Sequence, residues 1–480
     1  MDENRTQAYI NLIESLLSCP SDEKPQILKA NLKLLDLGFL QVCEGVAARL
    51  AEEGEENIAN FLRSLASQLA GLLGLTSAGG NDVANNSPED YVVFLKLLLQ
   101  TELDNFGGDS RHIYAVLQAN RDKLNLNLIP VFKQTMVRIL GRVDNPEKAE
   151  EIAALIGNIA VRIQEFPRGS KADNLEIAIA AYEIVLSVRT LETHSEKWAH
   201  TQNNLANSYL YKIRGERADN LEQAIAFYTA ALQVYTRDAF PEDWAMTKNN
   251  LAAAYSDRIR GEKADNVEQA IALYTAALQV YTRDDFPERW AMTHNNLALA
   301  YSGRIREERA DNIEQAIAFY KVVLQVYTRG AFPQDWATTQ NNLALAYSDR
   351  IKGERADNLE QAIVSCTAAL KVYTCDTFPE RWAMTQNNLA NAYRVRIRGK
   401  RADNIEQAIV SCTATLKVYT REAFPEKWAT TQNNLALAYS DRIRGEKADN
   451  IEQAIAFYTA ALQIYTPDAF GEKRASNDAK

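Results

Sequence analysis

The sequence predicts an all-α protein, a right-handed solenoid of helix-turn-helix units. Three observations lead there. All six tryptophans, Trp198, Trp244, Trp290, Trp336, Trp382 and Trp428, are spaced by 46 residues. An aspartate recurs in the same period at Asp173, Asp219, Asp265, Asp311, Asp357, Asp403 and Asp449. Between these markers the apolar residues follow helical spacing. A period of this length marks a solenoid, in which each unit buries its apolar face only by stacking on its neighbours. Function is then expected along a repeated surface and not in a single pocket.

Taken from the N-terminus, residues 1–145 read as a duplicated helical module. Ala30 and Asn31 followed by Leu35 and Leu37 line up with Ala119 and Asn120 followed by Leu124 and Leu126, at an offset of 89. The first copy is placed at 1–74 and the second at 89–145. Residues 75–88, with Thr76, Ser77, Gly79, Gly80, Asn81 and Asp82, have the composition of a flexible linker. Seven units of 46 residues fill 146–466, and 467–480 form a degenerate tail or the start of a truncated further repeat.

Within a unit, Phe240-Pro241-Glu242 puts proline just inside a helix start, where its missing N–H costs nothing and the acid meets the helix dipole. Trp244, Leu251, Tyr255 and Ile259 then fall on one stripe of a first helix, with Ala252 small enough for close approach. Arg260-Gly261-Glu262-Lys263 breaks the pattern and reads as a solvated connection. Asp265 followed by Glu268 suggests a variant capping box at the start of the second helix. Its stripe is Ala270, Ile271, Tyr274, Ala277 and Leu278.

These residues resemble the tetratricopeptide (TPR) family. Leu251-Ala252-x-x-Tyr255 and Ala270-Ile271-x-x-Tyr274-x-x-Ala277-Leu278 match its pattern of Leu, small, Tyr, then Ala, Tyr, Ala. The ordinary TPR has about 34 residues, and here both connections are longer. The run from Thr247 to Ala252 is similar to the extended repeats of kinesin light chain. The N-terminal module resembles segments that precede TPR arrays in large bacterial proteins, many of which end in a caspase-like CHAT peptidase domain. The resemblance implies a cytoplasmic, bacterial interaction protein, with a CHAT-type peptidase in cis or in trans as one candidate partner.

Both ends of the array depart from the pattern. In the first unit Gly157-Asn158 stands where later copies read Asn-Asn, and Ile152 replaces tryptophan, as expected of a cap that meets something other than another copy. At the other end Phe470-Gly471-Glu472-Lys473-Arg474 is in register with Phe424-Pro425-Glu426-Lys427-Trp428, but without the proline and the tryptophan. A polar cap and a longer protein cut at this point both fit.

Composition narrows the function classes. A net charge of −10 argues against nucleic acid as the main partner, because phosphate contacts need a basic surface. No apolar run reaches the length of a membrane helix, about 18 residues, so no membrane partner is expected. Cys366 and Cys412 replace the tyrosine of other copies and read as core; Cys19, Cys43 and Cys375 suggest no disulfide framework. His112, His194, His200 and His294 have no metal-ligand spacing, and no phosphate-binding loop is present. No catalytic residue, cofactor or metal is expected.

The tryptophans read as structural, each supplying a large ring to the packing. The asparagine pairs are the sharper binding candidates. Asn203, Asn249, Asn295, Asn341, Asn387 and Asn433 are expected to point into the concave groove, where an amide can both donate to and accept from a peptide backbone. Their neighbours, Asn204 to Asn434, are expected to bond between helices. The positions that vary among copies are assigned to the same groove: Met246, Met292 and Met384, Leu299, Leu345 and Leu437, and Asp257, Asp349 and Asp441. This predicts a ligand that is extended or helical, partly apolar and on balance basic. The chain is thus expected to be a protein-interaction scaffold. The sensing arm of a CHAT-type protease effector and a self-assembling structural solenoid are the alternatives.

Overall fold

The computed structural model describes residues 86–464 apart from 107, together with 3–18 and scattered positions between 27 and 65. Most of the first module copy, the expected linker apart from its last three residues, and the tail 467–480 lie outside the described residues. Every described element is helical. α1 (Glu3–Ser18) places Tyr9, Leu12, Ile13 and Leu16 in a small core with Phe39, Leu40 and Cys43.

The segment expected to be the second module copy contains α2 (Pro88–Asp104), α3 (Arg111–Ala119) and α4 (Leu128–Leu140). α2 opens with a capping box, in which Asp90 N–H donates to Ser87 Oγ and Ser87 N–H donates to Asp90 Oδ2. Phe94, Leu98, Leu117, Phe132 and Met136 join Ile156, Ile159, Tyr182 and Val185 in one continuous core. The module therefore covers the free side of the first unit, as expected of a cap.

Seven helix pairs follow: α5 (Pro146–Glu165) with α6 (Lys171–Val188), α7 (Ser195–Leu210) with α8 (Arg217–Ala231), α9 (Pro241–Asp257) with α10 (Lys263–Ala277), and α11 (Pro287–Ser302) with α12 (Arg309–Val323). The array continues with α13 (Pro333–Asp349) and α14 (Arg355–Ala369), α15 (Pro379–Val395) and α16 (Arg401–Thr415), and α17 (Pro425–Ser440) and α18 (Lys447–Leu462). Each second helix packs against its own first helix and, up to α16, against the next one. Successive first helices also touch, with no contact of that extent between successive second helices among the described residues. The array therefore curves with its first helices inside.

Apolar burial falls into two layers. The larger joins Ala252, Val267, Ala270, Ile271 and Tyr274 of one unit to Leu297 and Ala300 of the next. Cys366 and Cys412 take the tyrosine position, and burial pushes both thiols up to about 12. The smaller layer encloses Ala245, Ala277 and Tyr281 beneath Trp244, Phe286 and Trp290. Trp244, Trp290 and Trp336 each join the clusters of two units, and all six tryptophans stay half-buried, so removing one costs less than the roughly 3–5 kcal/mol of a fully enclosed ring. Ile259, expected on the core stripe, lies past the helix end and is exposed.

The connections are not merely solvated. Arg258 forks onto Glu222 with two 2.8 Å hydrogen bonds, and Arg260 reaches Asp219, both acids belonging to the preceding unit. The same pair of contacts recurs at Arg304 with Glu268 and Arg306 with Asp265. Asp265 is consequently no cap. α10 starts two residues earlier, after Glu262, and makes no side-chain cap bond. Buried Asn266 instead donates to the Arg260 carbonyl oxygen at 2.9 Å and so fixes the turn.

That turn requires a left-handed residue. Gly261 has φ of 77°, and glycine serves the same purpose in five other units, whereas the unit that reads Arg306-Glu307-Glu308 places Glu307 at φ 64°. A side chain in this region costs about 1 kcal/mol. Glu307→Gly is therefore expected to stabilise the chain by up to about 1 kcal/mol, seen as a higher urea midpoint with an unchanged slope.

Candidate functional site

The inner wall is built from one stripe of each first helix. In α9 this stripe runs through Met246, Asn250, Ala253 and Asp257, at helical spacing. The equivalent residues of three units, Ala253, Asn296, Leu299, Asn342, Leu345, Asp257 and Asp349, line a cavity of about 630 Å³, open on one side, with Tyr211 at its end. Leu299 and Leu345 are exposed there.

The first asparagine of each pair does not face this wall. Asn203, Asn249 and Asn341 are 2, 4 and 1% exposed, and Asn295, Asn387 and Asn433 are half-buried. The reason is spacing: Asn249 falls four residues after Ala245 and three before Ala252, both fully buried against neighbouring helices. Its side chain therefore lies in the joint between units. Thr247 Oγ1 donates to Asn203 Oδ1 at 3.2 Å, Thr293 to Asn249 at 3.2 Å, and Thr339 to Asn295 at 3.3 Å. Farther along, Asn388 Nδ2 donates to Asn341 Oδ1 and Asn434 Nδ2 to Asn387 Oδ1, each at 3.0 Å. The first asparagine thus ties units together instead of facing the groove, while the second makes inter-unit bonds at Asn250, Asn388 and Asn434 and lines the cavity at Asn296 and Asn342.

The remaining expected residues separate into groups. Met292 and Met384 are exposed, while Met246 lies in a different, shallow depression with Phe240, Asp243 and Arg289. The structure does not bring the methionines into the leucine-lined cavity. Leu437 is half-buried in the last unit. The aspartates are not free for a basic ligand. Asp257 pairs with Arg217 at 3.2 Å, Asp349 with Arg309 at 2.9 Å, and Asp441 with Arg394 and Arg401 at 3.2 and 3.1 Å.

At the N-terminal end the wall changes character, and sequence reasoning missed this. Glu150, Gly157, Asn158, Lys197, His200 and Asn204 line a cavity of about 460 Å³. Arg189 stands where the next unit has Tyr235, and one of its guanidinium nitrogens lies 3.8 Å from where a Cβ on Gly157 would stand. Arg189 and Lys197 hold Glu150 at 2.9 and 2.8 Å. Burial works against the charged Glu150, but these hydrogen bonds outweigh it and keep the carboxyl below its ordinary range. Burial, with Arg189 adding to it, lowers the pKa of His200. The visible signal was Gly157, alone among the copies in replacing the first asparagine. Among the described residues no group of histidine, cysteine and acidic side chains could hold a metal ion, and no helix is long and apolar enough to cross a membrane.

A family model described as the tetratricopeptide repeat matches residues 244–288, 336–372 and 428–468. These three segments are tetratricopeptide repeats. Solved structures similar to this TPR array include BtubC from P. vanneervenii, at 21% identity over 51% of this chain and 91% of that one, with a TM-score of 0.39. The apo form of RapI matches at 12% identity over 90% and 99%, with a TM-score of 0.44. The Cut9-Hcn1 assembly matches at 16% identity over 96% and 93%, with a TM-score of 0.40. No curated protein matches the chain.

Two predictions follow from the joint between TPR units. Asn341→Ala removes a buried acceptor and is expected to cost about 1–3 kcal/mol, lowering the melting temperature; an unchanged melt would mean that the inter-unit bonds contribute nothing. The second concerns acid. Hydrogen bonds from Arg304, Arg350 and Arg396 hold Glu268, Glu314 and Glu360 below their ordinary value of 4.5. As pH falls below that value the unfolded carboxyls take protons first, so the stability they contribute is full above it and is lost as pH passes the lowered folded values. Thermal melts between pH 7 and 3 should show this loss, less steeply in Glu314→Gln.

Proposed function

We propose that this TPR protein is an interaction scaffold that holds a partner polypeptide segment, extended or helical, along its inner wall. The cavity shared by three units carries the reading. Exposed Leu299 and Leu345 supply apolar contact, and the amides of Asn296 and Asn342 supply a donor and an acceptor in successive units. Such a surface recognises backbone and apolar side chains together. The absence of a recurring lysine on this stripe, read from Met246, Asn250, Ala253 and Asp257 and their copies, argues against capture of a free carboxyl terminus.

The chemistry of the expected ligand changes with the pairing of the aspartates. Because Asp257 and Asp349 already neutralise Arg217 and Arg309, the wall favours a segment that is uncharged and apolar over one that is basic. Exposed ion pairs of this kind contribute little by themselves. Binding should accordingly fall only modestly as salt rises to physiological strength.

The test is to select peptides from a displayed library on the intact chain and measure their affinity again with Leu299→Asp and Leu345→Asp. Both leucines are exposed, so the fold should survive, and affinity should drop about tenfold or more as two apolar contacts are replaced by unpaired charge. Selected peptides that bind the double variant as well as the original chain would place the binding surface elsewhere.

A further inference from the structure

Near the start of the first helices, an acid of one unit meets a cation 47 residues later in the next: Glu150 with Lys197, Glu242 with Arg289, and Glu380 with Lys427, at 2.8, 3.2 and 3.0 Å. Between the second and third units that cation is missing. Glu196 is followed at the same interval by Asp243, and among the described residues neither makes an ion pair. Both line the cavity at the N-terminal end of the inner wall, where Arg189 and Lys197 are already engaged by Glu150. Tyr235 lines the same cavity and is 3% exposed. Its counterparts Tyr281, Tyr327, Tyr373 and Tyr419 each donate to a carbonyl oxygen 39 residues before them, at 2.9–3.4 Å. Among the described residues the Tyr235 hydroxyl has no such bond. Burial raises its pKa, and Asp243 and Glu196 add to the rise, so the phenol stays neutral beside two carboxylates.

We propose that this cavity seats the guanidinium or ammonium group of a basic side chain on the bound segment, with Glu196 and Asp243 as counter-ions and the Tyr235 oxygen as a further acceptor. Charge selects this class. An anion would face two unpaired carboxylates, and a neutral group would leave them unpaired. Arginine is favoured over lysine, because its planar fork of five donors can serve several acceptors at once. Ala154 and Val161 offer apolar surface to the aliphatic stem. The cavity is continuous with the rest of the wall: His200 and Asn204 of α7 line it, and Tyr211, on the same stripe, ends the leucine-lined cavity. The segment would therefore carry a basic residue at one end and apolar residues toward the other. This rests on the reading of the inner wall as the seat of a polypeptide segment. The carboxylate pair alone does not make the site. Glu288 and Asp335 repeat it at another joint, but there Tyr327 donates to the Glu288 carbonyl oxygen at 3.1 Å.

The probe is N-acetyl-arginine amide, titrated onto the intact chain and followed by saturation-transfer NMR. It tests this cavity without a peptide, so a failure here is distinct from a failure of the leucine-lined cavity. Half-saturation is expected at about 1–10 mM, and N-acetyl-citrulline amide, the neutral analogue, should bind about tenfold more weakly or worse. Glu196→Gln with Asp243→Asn should weaken the arginine probe about tenfold or more, without lowering the melting temperature, since two like charges are removed. Tyr235→Phe, which keeps the buried ring, should weaken it about threefold. Added salt should weaken it in the original chain. Glu288→Gln with Asp335→Asn, and Leu299→Asp with Leu345→Asp, should leave it unchanged. Peptides selected on the intact chain should carry arginine or lysine on one side of their apolar residues and lose that preference on the Glu196→Gln, Asp243→Asn chain. The proposal is overturned if the arginine and citrulline probes bind alike, if Glu196→Gln with Asp243→Asn binds the arginine probe equally, or if peptides that need Leu299 and Leu345 show no basic residue. It is also overturned if spermidine binds through the same carboxylates about 100-fold tighter than the arginine probe, because a free polyamine is then the occupant.

Discussion

A second helix of this array cannot bury its own apolar stripe, and the rest of the structure depends on that. Val267, Ile271 and Tyr274 are enclosed only when Leu297 and Ala300 of the next unit arrive. The connection then has to turn sharply enough to bring two cations back over the previous unit, and the left-handed residue at Gly261 makes that turn. Asn266 holds the turn from inside, while Arg258 and Arg260 grip Glu222 and Asp219 from outside. Apolar cover, backbone conformation and ion pairing are therefore parts of one joint, repeated along the chain.

This division of labour explains which positions resist change among the copies. Residues of the joint are nearly invariant from unit to unit, including the glutamate and aspartate that receive the cations. The stripe through Met246, Asn250, Ala253 and Asp257 varies at three of its four positions, none of which is fully buried in any of the six units. Where an aspartate appears on that stripe, at Asp257, Asp349 and Asp441, an arginine opens the preceding second helix and pairs with it. The wall thus alternates between paired and uncharged units.

The fold was legible because a period of 46 residues leaves little freedom: helix starts at Pro241, the breaks at Gly261 and the apolar stripes all follow from local chemistry. The inner wall was legible only in part. Leu299, Leu345, Asp257 and Asp349 line one cavity, but Met246 lies in a different depression and the first asparagine is turned into the joint between units. Met246, Ala253 and Asp257 fall four, three and seven residues from Asn250, which is the helical spacing, so the stripe itself pointed to the second asparagine. What sequence could not supply was the partner of each charge. Arg217 and Asp257 are 40 residues apart and meet only because the units stack, and Asp265 resembles a cap until Arg306 is brought to it.

The helical module gives the stack a direction. Phe94, Phe132 and Met136 weld it to the first unit. Each unit that lets go on thermal opening uncovers the same apolar stripe on the one before it. The unit nearest the module, clamped from both sides among the described residues, is therefore the last that local opening should reach.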